Sequence, residues 1–246
     1  MNTDLPRPPT VSLDSTALLL DFDGTLIPYA GQDLLQPTVG DHLLTLLVDL
    51  QSATDGAAGI VSGRGIAELD GLLDPVKLAM SGTHGSEIRL SPADPPSLVV
   101  SSEGYEEMVQ QAQKWGHEHP DTMIEKKFIT VAIHFHGLPD LEPAARDFAL
   151  RMEAEHPNYA AQFGRGVIEM KPKGVDKASG CARLMQQGPF LGRQPLFVGD
   201  DVADEEGFAF VNARDGVSIK VGPGETSARY RLDDADAVRT YLASLL

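Results

Sequence analysis

The chain has 246 residues, 42% hydrophobic and 23% charged, proportions that suit one soluble α/β domain with a smaller insertion. Its formal net charge of −16, from 20 Lys and Arg against 36 Asp and Glu, argues against nucleic acid and anionic membranes as partners, because both require clustered cations. A single cysteine, Cys181, leaves no internal disulfide; its helical apolar neighbours mark a buried thiol. The polar, proline-rich start is unlike a signal peptide, and no apolar run nears a membrane span, so a cytoplasmic protein is expected.

The first predicted strand, residues 17–20, runs straight into Asp21-Phe22-Asp23-Gly24-Thr25. A parallel strand buried on both faces has no structural use for charge at its carboxyl end. Ligands of open α/β sheets bind at that end. Two carboxylates on alternate positions repel unless a cation or a proton relieves them. The turn therefore asks for a divalent metal and makes a carboxylate nucleophile plausible; taken alone, it reads equally as an acidic loop. Residues 31–38 are loop-like, with Pro37 just ahead of a helix over about 39–54, where Leu43, Leu46, Leu47 and Leu50 fall near helical spacing. A second buried strand, 57–61, ends in Ser62-Gly63-Arg64. A helix through Ile66, Leu69 and Leu72 follows and stops near Asp74-Pro75. The third strand, 78–81, enters Gly82-Thr83-His84-Gly85. This alternation predicts a Rossmann-like doubly wound parallel sheet.

The pattern then changes. Residues 91–96 are rich in turn formers, 103–115 predict an amphipathic helix, and 123–127 with 129–136 predict paired antiparallel strands. A helix over 141–155 precedes a second hairpin, 159–163 with 166–170, turning at Gly164-Arg165-Gly166. A helix-strand-strand unit that occurs twice predicts an inserted α+β domain over 101–171, within a core of 1–100 and 172–246. Beyond Pro172 come a helix over 176–187, a buried strand 195–198 ending in Gly199-Asp200-Asp201, a helix over 205–211, a strand 217–221 and a helix over 234–246. Strand alternation puts Glu125 and Lys127 on one face, and Glu169 and Lys171 likewise. Such a charged face suits either sugar hydroxyls or solvent and cross-strand ion pairs.

The DFDGT turn, a strand-end serine, Lys177 and the GDD turn occur in the order used by the haloacid dehalogenase superfamily of phosphatases, which the chain resembles over almost its whole length. That resemblance implies Asp21 as nucleophile, Asp23 as acid and then base, and Mg²⁺ held by Asp21, the Asp23 carbonyl and Asp200. It implies Ser62, Gly63 and Lys177 around the phosphoryl group, with Asp201 and Asp204 behind them, orienting a water or Lys177. The residues alone also allow Ser62 as a helix cap and Lys177 as a surface lysine. A narrower resemblance, carried by DFDGTL, VSGR, SGTHGSE, IEKK, IEMKPKGVDK and FVGDDVADEEGFAFVN, is to the bacterial trehalose-6-phosphate phosphatase family, whose insertion is a type IIB cap. It implies a small sugar phosphate as substrate, bound by Arg64, His84, Glu125, Lys127, His136 and Glu169, and functional pairing with a trehalose-6-phosphate synthase. His136 stands where that family usually has arginine, which implies a weakened or pH-dependent contact. Ala178 stands where the family usually has glycine, and Ala203 replaces a threonine. The alternatives are a related capped phosphatase acting on sucrose phosphate, mannosyl-phosphoglycerate or a hexose phosphate, a phosphotransferase, and a non-catalytic binding domain.

Overall fold

The computed structural model describes residues 5–28, 38–164 and 166–246; the expected loop over 31–37 and the turn residue Arg165 lie outside them. Contacts divide the chain into two compact units, Met1–Val99 with Asp176–Leu246, and Val100–Val175.

In the first unit the strands are β1 (Thr16–Leu20), β2 (Ala58–Val61), β3 (Ala79–Gly82), β4 (Glu87–Arg89) and β5 (Ser97–Leu98), and, from the second chain segment, the three described below. Four further strands, β6 to β9, belong to the second unit. The return segment then supplies β10 (Gln194–Gly199), β11 (Val217–Val221) and β12 (Tyr230–Leu232). The sheet order is β12-β11-β10-β1-β2-β3-β4-β5. Neighbours from β12 to β3 pair in parallel, and β4 and β5 add antiparallel.

Every residue of β1 is buried, as its all-apolar core requires of a central strand. Leu18 and Leu20 face one layer with α1 (Asp41–Ala53), α2 (Ile66–Leu72) and α7 (Ala235–Ala243), through Leu47, Leu50, Leu69, Val238 and Leu242. Ala17 and Leu19 face the other layer with α5 (Lys177–Met185) and α6 (Glu205–Asn212), through Cys181, Leu184, Phe208 and Val211. Each large apolar side chain so buried contributes about 1.5–3 kcal/mol.

Three strands escape the sequence pattern: β4, the two-residue exposed β5, and β12. β4 is Glu-Ile-Arg, charged at both ends yet wholly buried. It can be so because Arg89 forms a fork with Asp70 at 2.7 and 2.8 Å and donates to the Leu78 carbonyl. Glu87 accepts from the Thr83 hydroxyl and the Ile66 N–H. β12 is too short and too polar to stand out from its surroundings.

The second unit holds a four-stranded antiparallel sheet in the order β6 (Met123–Lys126), β7 (Val131–His134), β9 (Val167–Pro172), β8 (Tyr159–Gly164). One face packs on α3 (Tyr105–Glu118) and α4 (Glu142–Glu155). Met108, Ala112, Trp115, Phe148, Ala149 and Met152 recur at helical spacing and meet Val131, Ile133, Tyr159, Ile168 and Met170. Strand alternation sends Glu125, Ala132, Glu169 and Gln162 to the other face, where the register sets them in one row across the four strands. Among the described residues, no helix is long and apolar enough to cross a membrane.

Candidate active site

Polar groups gather at the carboxyl ends of β10, β1, β2 and β3, four adjacent strands. Asp21 follows β1 directly, and its N–H donates to the Val198 carbonyl at 3.0 Å, extending the ladder one residue and fixing where the carboxylate starts. Gly24, in the left-handed region at φ 74°, turns the chain beneath Asp200; a Cβ there would sit 2.1 Å from Asp200 Oδ2. Lys177 is the first residue of α5. That helix start is fixed by a capping box, in which Ser179 N–H donates to Asp176 Oδ1 at 2.6 Å and Asp176 N–H donates to Ser179 Oγ at 2.9 Å.

Lys177 Nζ reaches Asp21 Oδ1 at 2.7 Å and Asp204 Oδ1 at 2.5 Å, with all three side chains almost wholly buried. The other Asp204 oxygen accepts from the N–H groups of Asp200 and Asp201 at 3.0 and 2.9 Å. Asp204 therefore braces the ammonium and the GDD turn together. Asp201, expected to orient a water or Lys177, is exposed and caps the following turn by accepting from Val202 N–H at 2.6 Å. Thr25 Oγ1 donates to Asp21 Oδ2 at 3.2 Å and lies 3.5 Å from Asp200 Oδ1.

One ammonium among these carboxylates leaves them short of positive charge. Burial pushes the Asp21 carboxyl well above its usual range; Lys177 opposes this, and Asp204 and Asp200 add to it. Burial, with Asp204 and Asp201, likewise raises Asp200. Burial alone would lower Lys177, but Asp21 and Asp204 outweigh it and hold the ammonium above its ordinary value. Carboxylate oxygens of Asp21, Asp200 and Asp204 lie within 4.8 Å of one another. Hard, closely set, under-compensated oxygens suit a hard divalent cation.

Ser62 is buried just past β2, and its Oγ accepts from the Arg64 N–H at 3.2 Å. The half-buried His84 donates its N–H to the Ser62 carbonyl at 3.1 Å, and its ring covers Gly63 so closely that a Cβ there would be 2.7 Å from it. Asp23 is gripped by Arg64, Nε to Oδ2 at 2.6 Å and Nη2 to Oδ1 at 2.8 Å. Lys220 was absent from the sequence expectations. It is buried at the end of β11 and donates to the Asp200 carbonyl and, at 2.7 Å, to that of Val221. Burial lowers its ammonium below the ordinary value. A lysine inside the largely apolar run Val-Ser-Ile-Lys-Val was the available signal, a weak one. A cleft of about 470 Å³ runs along Gly24, Asp200 and Lys220 to Asp234 at the start of α7.

The remaining expected residues lie in the second unit, on the open sheet face and at its edge. His134 Nε2 is 2.9 Å from Glu125 Oε2, and this hydrogen bond, against burial, holds the Glu125 carboxyl below its usual range. Lys127 Nζ and Thr130 Oγ1 donate to Glu169 Oε1 at 3.2 and 2.8 Å. The His136 ring is exposed, 5.8 Å from that of His134.

A family model described as trehalose-phosphatase matches residues 19–236. Trehalose-6-phosphate phosphatase of Escherichia coli (strain K12) is 35% identical over 92% of this chain and 85% of its own. A bifunctional trehalose-6-phosphate synthase/phosphatase of Thermoproteus tenax is 28% identical over 93% of this chain, which corresponds to 31% of that protein. A solved trehalose-6-phosphate phosphatase related protein superposes with a TM-score of 0.77 at 26% identity, covering 94% of this chain and 96% of its own.

Proposed function

Because the chain belongs to the trehalose-phosphatase family, we propose that it hydrolyses trehalose 6-phosphate to trehalose and phosphate through an aspartyl-phosphate on Asp21. The observation that carries the chemistry is the Asp21–Lys177 contact of 2.7 Å inside the Asp21, Asp200 and Asp204 cluster. An Asp21 oxygen attacks phosphorus as the bond to the sugar oxygen breaks, and Asp23 gives that oxygen its proton. Asp23, now a carboxylate, takes a proton from the water that attacks the aspartyl-phosphate, and Asp21 is released with inorganic phosphate. Lys177 offsets charge on the transferring group, and Ser62 with the Gly63 N–H binds its oxygens. Asp21, Asp200 and the Asp23 carbonyl would hold Mg²⁺, which supplies further neutralisation of phosphoryl charge.

Glu125, Lys127, His136 and Glu169 contact the sugar hydroxyls, with His84 at the phosphoryl loop. Acceptor carboxylates and donor cations on one open face match hydroxyls, which both give and take hydrogen bonds. The bifunctional relative supports pairing with a synthase that supplies the substrate; on this reading the reaction takes place in the cytoplasm.

Phosphate release from a panel of sugar phosphates, with and without Mg²⁺, tests this. Trehalose 6-phosphate should be preferred, and Glu169→Ala should raise its KM while sparing a small aryl phosphate. Preference for a monosaccharide phosphate defeats the disaccharide reading. Phosphate release that survives Asp21→Asn defeats the nucleophile.

A further inference from the structure

The sequence places Arg64 among the substrate contacts, but its guanidinium is engaged elsewhere. Nε and Nη2 meet the two oxygens of Asp23 as a fork at 2.6 and 2.8 Å. Nη1 meets Glu68, one turn along α2. The Arg64 carbonyl accepts from Thr83 N–H at 2.9 Å, its N–H donates to Ser62 Oγ, and its guanidinium carbon lies 6.0 Å from the centre of the Phe22 ring. The Arg64 side chain is only 10% exposed. Backbone and guanidinium are thus both held, and the fork is aimed at one carboxylate across adjacent strand ends.

We propose that Arg64 is a positioning residue that acts through Asp23 and is not a sugar contact. The Asp23 side chain is a quarter exposed, beside a glycine that lends the backbone no rigidity. Left alone, its carboxylate would sample several rotamers in water. The fork fixes both oxygens at once, which a single-point contact does not do. Glu68 keeps the guanidinium in place from the far side when Asp23 exchanges its proton. The Asp23–Arg64–Glu68 chain therefore sets where the proton is delivered, and Ser62, through the Arg64 N–H, ties that chain to the phosphoryl loop. The inference rests on the acid–base role of Asp23 proposed above.

A double-mutant cycle tests it, read as single-turnover release of the first product. Asp23→Asn should slow trehalose release about 10²- to 10⁴-fold, the usual worth of a general acid. Arg64→Gln should slow it about 10- to 100-fold, as misplacement of a catalytic group does. Combined, the two should match Asp23→Asn alone within about threefold, because the second change removes only what the first has already disabled. Multiplicative losses would overturn the inference and mark Arg64 as an independent substrate contact. Arg64→Lys keeps the charge without the fork and should retain the defect; a wild-type rate in that variant also overturns it. p-Nitrophenyl phosphate separates the two levels of the argument, since nitrophenolate leaves unprotonated. Asp23→Asn and Arg64→Gln should both lose far less on that ester than on the sugar phosphate. If Asp23→Asn loses equally on both, the acid role of Asp23 falls and the inference with it. If Asp23→Asn is selective and Arg64→Gln is not, the inference alone falls.

Discussion

Asp21→Asn should raise the stability of the metal-free protein while abolishing turnover. The charged Asp21 is attracted to Lys177 at 2.7 Å, worth about 6 kcal/mol at an effective dielectric of about 20. It is repelled by Asp200 and Asp204 at no more than 4.8 Å, about 3.5 kcal/mol each on the same scale. Attraction and repulsion nearly cancel, so burial of the charge decides the sign, and that term is unfavourable. Asparagine keeps an acceptor for Lys177 and removes the charge. A gain of about 2 kcal/mol is expected, or about 4–8 °C in Tm for a chain of this size. The pH dependence follows from the same shift. A carboxyl raised on folding favours the native state below its unfolded value and loses that advantage as pH rises towards the raised one. The gain from Asp21→Asn should therefore grow as pH rises above the ordinary carboxylate range and shrink on acidification. Thermal melts in chelator and in excess Mg²⁺ measure both parts: the wild type should gain stability from Mg²⁺, and the variant much less. A variant that melts below the wild type in chelator, or that keeps the full Mg²⁺ response, would refute the reasoning.

Gly24→Ala should reduce kcat/KM by at least about 100-fold with the circular dichroism spectrum unchanged, because its Cβ would occupy the place of the Asp200 carboxylate at a backbone angle that alanine disfavours. Asp70→Asn should lower the urea midpoint by an amount equivalent to about 3 kcal/mol, since it strips the partner from buried Arg89, while the rate of phosphate release holds. The Glu125 carboxyl, held low by His134, stabilises the fold above the ordinary carboxylate range and loses that contribution as pH falls through its depressed value. His134→Phe should move its NMR titration upward despite the nearby Lys127, and an unchanged midpoint would exclude the hydrogen bond as the cause.

The parts of this fold legible in the sequence are those where chemistry and burial disagree locally. Apolar strands ending in Asp21, Ser62 and Asp200 announce themselves because charge has no packing reason to be there. The switch from buried strands to helix-strand-strand units marked the insertion for the same kind of reason, a change in hydrophobic period. β4 stayed hidden because its charges are satisfied by partners far along the chain: Asp70 is 19 residues from Arg89, and Ile66 is 21 from Glu87. Arg64 and Asp23 are 41 residues apart, so the family resemblance suggested a sugar contact and only the fold shows the carboxylate it grips. Lys220 shares its strand with Ser218, so the sequence alone does not mark it out, although a buried lysine needs an acceptor.

These long-range pairings also explain how so acidic a chain can handle an anion. Three cations, Arg64, Lys177 and Lys220, come from β2, α5 and β11 and converge on carboxylates or on the peptide that carries one. Each is immobilised by that contact, so the positive charge is in place before any substrate arrives and needs no reorganisation during transfer. Against them stand the carboxylates of Asp21, Asp23, Asp200 and Asp204, with Glu68 on the far side of Arg64, so negative charge is in excess. A dianionic phosphate ester would be repelled by that balance. A divalent ion offsets twice as much of that excess as a monovalent one. A divalent cation therefore suits the carboxylate cluster at these strand ends, whichever sugar the ester carries.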